Sequence, residues 1–135
     1  MSTPTPNRPN PPLRVFVVEN HDDSRLMLTM LLSSMGHQVK SAASMHEALD
    51  ALPQADPEVL VSDIGLPDGD GWELLKRVHL PHEVYAIAMS GYGMASDRAR
   101  SLEAGFRHHL VKPMDIEQLE HLLAEASREL GKRSD

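Results

Sequence analysis

From about residue 13 onward the chain switches repeatedly between two hydrophobic periods. Val15-Phe16-Val17-Val18 is an unbroken apolar run, as in a strand buried on both faces of a parallel sheet. Leu28, Leu31, Leu32 and Met35 then recur at helical spacing, with Gly36 placed to end the helix. Gln38 to Ala42 reads as a second strand. Ser44 and Glu47 form a capping box before Met45, Ala48, Leu49 and Leu52, and Pro53 is expected to stop that helix. Val59-Leu60-Val61 is a third strand ending at Ser62-Asp63. The turn-rich stretch from Gly65 to Gly71 follows, then a helix carrying Trp72, Leu75 and Val78. Val84 to Met89 is a fourth strand. Ala95, Ala99 and Leu102 mark a thin apolar stripe on a largely polar helix closed by Gly105. His108 to Val111 is a fifth strand, and Asp115 with Gln118 caps a last helix striped by Ile116, Leu119, Leu123, Ala126 and Leu130.

Strands that alternate with helices predict an α/β fold, a doubly wound five-stranded parallel sheet of order 2-1-3-4-5 with helices on both faces. Residues 1–12 hold five of the ten prolines and a single apolar side chain, Met1. Such a segment buries too little to offset its ordering entropy, so a Pro-rich tail is expected there, one domain over 13–131, and a short loose end at 132–135.

Composition narrows the chemistry. Thirteen Lys and Arg against twenty Asp and Glu leave a charge of −7, so nucleic acid and anionic membrane have no basic face to bind. With no cysteine in the chain, disulfides, thiolate nucleophiles and cysteine-held metals are excluded. No apolar run is long enough to span a bilayer and no signal-peptide core is present, which predicts a cytoplasmic protein.

In folds of this class, sites gather at the carboxyl ends of the strands. Those ends carry Glu19-Asn20-His21-Asp22-Asp23, then Asp63, Ser90 and Lys112. Converged, they make an oxygen-rich pocket with one ammonium, suited to a hard cation such as Mg²⁺ and to a phosphoryl group. The loop after the first strand has no glycine and three carboxylates, which argues against a nucleotide or flavin phosphate.

The order of these motifs resembles the receiver domain of two-component response regulators. The stretches that carry the resemblance are VFVVENHDDSR, VSDIGLPDGDGWELL, AIAMSGYG and EAGFRHHLVKP, and they span the chain from Arg14 to about Leu130. The resemblance implies that Asp63 accepts a phosphoryl group from a phosphohistidine on a histidine kinase or histidine phosphotransfer protein. It implies Mg²⁺ held by Glu19, Asn20, Asp63 and the Gly65 backbone carbonyl, with Ser90 and Lys112 on the phosphoryl oxygens. A cis Lys112–Pro113 bond is implied as well, and no enzymatic turnover beyond the domain's own phosphorylation and dephosphorylation. His109 stands at the position of an aromatic switch residue, and the face of helix 4, strand 5 and helix 5 would carry the signal to a downstream protein. The chain ends after its fifth helix, which predicts no appended DNA-binding or enzymatic output domain.

Three positions depart from the family pattern. Asn20 replaces an Asp, His109 a Tyr or Phe, and Gly91 an Ala. The first opens an alternative, a degenerate receiver that binds partners without phosphorylation. Asp22, Asp23, Asp68 and Asp70 read as capping and turn residues. Six of the eight histidines read as surface residues, with His109 the candidate switch and His21 left open. Met27, Met30, Met35 and Met45 read as core filler, and Trp72 as packing and an optical reporter.

Overall fold

The computed structural model describes residues 12–91 and 95–134, side chains at 95–96 and 131–134 excepted. The expected tail at 1–12 thus lies outside the described residues but for Pro12. Strands β1 (Arg14–Val18), β2 (Gln38–Ala42), β3 (Val59–Asp63), β4 (Tyr85–Ser90) and β5 (His108–Val111) form one parallel sheet in the order β2-β1-β3-β4-β5. Helices α1 (Asp22–Ser34), α2 (Met45–Ala55), α3 (Gly71–Arg77), α4 (Ala95–Ala104) and α5 (Ile116–Ser134) connect and follow the strands. A two-residue antiparallel ribbon, Gly65–Leu66 with Gly69–Asp70, sits between β3 and α3.

Period-2 alternation in the central strands divides the core in two. Val15, Val17, Val61 and Ile87 face α1 and α5, packing on Leu32 and Leu123. Phe16, Val18, Leu60 and Ala88 face the opposite layer with Leu52 and Leu74. The central strands β3 and β4 are buried throughout, which is why they read as continuous apolar runs, while the edge strand β2 is largely exposed.

Several expectations change. Pro53 lies inside α2, in its last turn, where it forfeits one backbone donor without ending the helix. The stop comes at Asp56, left-handed at φ 47°, a conformation Asp tolerates better than most residues. Helix α5 runs to Ser134, so residues 132–134 are helical rather than a loose end. Met27 and Met30 are about 62% and 63% exposed, so only Met35 and Met45 of the four expected fillers pack inward. On α4, Ala99 and Leu102 face outward, while Ser101 is fully buried and Ala104 packs partly inward.

His37 is also not a surface residue. It is 6% exposed, and its Nδ1 accepts the Leu13 backbone N–H at 3.0 Å, fixing the chain where β1 begins. Burial holds its pKa below the ordinary 6.5. The unfolded chain therefore takes up this proton more readily, and the stability His37 contributes is complete above 6.5 and lost as the pH falls below it. Thermal unfolding of His37→Gln, which keeps an acceptor for Leu13 but cannot titrate, should depend less on pH between about 7 and about 5 than the wild type. Equal slopes would remove His37 as the titrating group.

Candidate functional site

The carboxyl ends of β1, β3, β4 and β5 converge. Glu19 leaves β1 with its backbone N–H on Ala42 O at 3.1 Å, and its side chain is 2% exposed. Asp63 is the last residue of β3 and is 6% exposed. Lys112 follows β5 and spans the two, its Nζ donating to Glu19 Oε1 at 2.6 Å and to Asp63 Oδ2 at 2.9 Å. Its backbone N–H bonds Ser90 O at 2.8 Å, tying it to the end of β4, and the Lys112–Pro113 peptide is cis, as expected.

The charges in this cluster are unequal. Burial is the largest influence on Asp63 and raises it; Lys112 opposes, the neighbouring Glu19 adds, and the net value is about 6. Burial also favours the neutral form of Glu19, but Lys112 and the His21 N–H on Oε2 outweigh it and hold this group at about 2. Burial disfavours the Lys112 ammonium, yet the two carboxylates raise its pKa. The pocket thus pairs a firmly ionised Glu19 with an Asp63 whose anion is destabilised, and a destabilised buried anion is a better nucleophile and a readier cation ligand.

The loop after Asp63 is set by close contacts. A Cβ on Gly71 would stand 2.6 Å from the Asp63 backbone oxygen, so only glycine lets α3 begin this near the acidic residue. Asp70 caps α3 by accepting the Glu73 N–H at 2.7 Å. Asp68 accepts the N–H groups of Met45 and His46, both at 2.8 Å, and so caps α2 from across the ribbon. The sequence assigns Asp68 and Asp70 to turn and cap roles, and the structure agrees, although the helix Asp68 caps is a distant one in sequence. Asp22 and Asp23 lie in the first turn of α1, where negative charge suits the helix N-terminus. Asp22 pairs with Arg25 at 2.7 Å, and His21 holds the N-cap position without a side-chain cap bond.

The remaining expected residues divide. Asn20 is exposed beside Glu19, and Gly65 is exposed in the ribbon with open space around it. Among the described residues no three of His, Asp and Glu converge to hold a metal on their own. Two carboxylates do converge, and Mg²⁺ commonly takes only one or two, completing its shell with carbonyls, water and phosphoryl oxygen. The donor set therefore fits a magnesium site with few charged ligands.

Ser90 Oγ lies 2.7 Å from His109 Nε2. On the other side of the ring, His109 Nδ1 lies 2.8 Å from Ser101 Oγ, which accepts the Trp72 indole N–H at 2.9 Å. His109 and His108 point to opposite faces, as adjacent strand residues must; His108 Nε2 lies 2.9 Å from the hydroxyl of buried Tyr85 and is half-buried, not a free surface group. Ser101 was not legible as a functional residue. A lone serine on a polar helix gives no pattern, and its partners come from two other elements.

Comparison with known proteins agrees with this fold. The family model described as response regulator receiver domain matches residues 15–124. An uncharacterised 14.6 kDa protein of Leptolyngbya boryana is 38% identical over 112 residues, 81% of this chain and 86% of that protein. The sensor histidine kinase RcsC of Salmonella typhi is 29% identical over 116 residues, 85% of this chain but only 12% of the kinase. A CheY-like receiver domain from Methanospirillum hungatei superposes with a TM-score of 0.82 at 27% identity, covering 88% of this chain and 96% of that one.

Proposed function

The chain belongs to the response regulator receiver family of two-component signalling, and from that premise we propose that it is a phosphoacceptor whose acceptor is Asp63. The observation that carries the reading is Lys112 Nζ shared between Glu19 and Asp63 at 2.6 and 2.9 Å. An ammonium so placed can pair with a phosphoryl oxygen arriving at Asp63 without moving far.

In this reading an Asp63 carboxylate oxygen attacks the phosphorus of a phosphohistidine. The O–P bond forms as the N–P bond breaks, and the imidazole of the donor leaves. Lys112 neutralises charge on the transferred group, and Ser90 donates a hydrogen bond to one of its oxygens. Glu19, Asn20, Asp63 and the Gly65 carbonyl would hold Mg²⁺, which when bound offsets negative charge on the phosphoryl oxygens. Full-length protein incubated with acetyl phosphate and Mg²⁺ should acquire hydroxylamine-labile phosphate. A specific observation favours a second reading, a receiver that binds partners unphosphorylated, because among the described residues two carboxylates converge and position 20 is an amide. No labelling at saturating Mg²⁺ would select it.

A donor has an apolar landing place beside the site. Leu26, Met27 and Met30 on α1 are exposed at 60%, 62% and 63%, and a groove lined by Met27, Leu31, Pro113 and Met114 runs from them to Glu19 and Lys112. Methionine surfaces adapt to the contour of a partner helix. We assign this face to the kinase or phosphotransfer protein, and the face of α4, β5 and α5 to the downstream protein. Met30→Glu should slow transfer from a phosphohistidine protein about tenfold or more and leave acetyl phosphate labelling unchanged. Equal slowing with both donors would place the effect in the site rather than in docking. No helix among the described residues is long and apolar enough to cross a membrane.

A further inference from the structure

The hydrogen bonds around His109 can be given a direction. An indole N–H only donates, so Trp72 occupies one lone pair of Ser101 Oγ. Ser101 is fully buried, and its own proton needs an acceptor. The hydroxyls of Thr29 and Ser34 turn back onto carbonyls of their own helix, Leu26 O and Leu31 O. Ser101 instead has Trp72 Nε1 and His109 Nδ1 within reach, and of these only Nδ1 can accept. A neutral imidazole that accepts at Nδ1 carries its proton on Nε2. Nε2–H then donates to Ser90 Oγ at 2.7 Å, using a lone pair of that hydroxyl and not its proton.

We infer that Ser101 is a positioning residue for the Ser90 hydroxyl: acting through the tautomer of His109, it makes Ser90 an acceptor from the ring and keeps the Ser90 proton off the imidazole. The reverse tautomer would draw that proton toward the ring, where it could not serve a phosphoryl oxygen. Trp72 is itself held, buried at 9% exposure with the Arg100 guanidinium 4.1 Å from its ring centroid, and its donation fixes Ser101 Oγ beside the His109 ring. The geometry stands by itself, while its consequence for phosphorylation rests on the phosphoacceptor reading.

Imidazole ¹⁵N NMR of the full chain, at alkaline pH where the ring is neutral, reads the tautomer directly. His109 should show a protonated Nε2 and a bare, hydrogen-bonded Nδ1. Ser101→Ala removes the donor to Nδ1, and a second tautomer should appear in comparable amount. Ser101→Ala should lower the rate of acetyl phosphate labelling about three- to tenfold, with Mg²⁺ affinity unchanged. A proton on Nδ1 in the wild type, or a Ser101→Ala spectrum identical to wild type, overturns the relay. An unchanged Ser101→Ala rate overturns the positioning role even with the tautomer as expected. A wild type that takes no phosphoryl group but shows the Nε2–H tautomer defeats the phosphoacceptor reading and leaves the relay standing.

Discussion

Asp63→Asn is expected to reduce phosphoryl incorporation to background with any donor, and to do so without unfolding the protein. The amide has nearly the same shape and keeps an oxygen that can accept from Lys112, but it has no anion to attack phosphorus. The stability of the variant carries independent information. Asp63 is raised to about 6 in the fold against an ordinary 3.8, so the folded state resists its ionisation. Its ionised form therefore subtracts stability, fully above about 6 and not at all below 3.8. Asp63→Asn should then raise the thermal midpoint at neutral pH, and the gain should shrink on acidification through that window. Hydroxylamine-labile phosphate remaining on the variant would move the acceptor elsewhere, with Glu19, on the same ammonium, the first residue to examine.

What was legible in the sequence follows from how each feature is encoded. The sheet and its order were readable because strands buried on both faces leave continuous apolar runs such as Val59-Leu60-Val61. The residues that converge were readable because a parallel sheet brings every strand end to one edge, so Glu19, Asp63, Ser90 and Lys112 needed only the right strand assignments. Features set by partners distant in sequence were not. The α4 stripe of Ala95, Ala99 and Leu102 was drawn from apolarity, yet the helix is turned by two polar bonds of Ser101, so Leu102 ends 61% exposed. His37 looked like any polar residue at a helix end until the Leu13 N–H was seen to need an acceptor there. Met27 and Met30 satisfied a packing argument because methionine suits cores and adaptable surfaces equally, and composition cannot separate the two. Pro53 misled because the rule against proline in helices weakens in the last turn, where few bonds remain to be lost.

Asn20→Asp is the second large effect, and it tests how this site departs from its relatives. The wild-type cluster offers a cation two carboxylates, already shared with one ammonium. Position 20 faces solvent, so a new carboxylate there would stay hydrated and would act on the ion mostly through water-like screening. One unit charge about 4 Å from a divalent ion is then worth about 2 kcal/mol, or about 30-fold in affinity. Mg²⁺ binding, followed by Trp72 fluorescence or by calorimetry, should tighten by that order, and labelling by acetyl phosphate should saturate at correspondingly lower Mg²⁺. Without the ion, the added anion beside Glu19 should raise Asp63 further and lower the thermal midpoint, and Mg²⁺ should restore it. An affinity unchanged by Asn20→Asp would mean that the ion is not held through position 20. Asp22 and Asp23 would then be the ligands to test, although Asp22 would have to give up Arg25 at 2.7 Å and a side chain 86% exposed to water before it could turn inward.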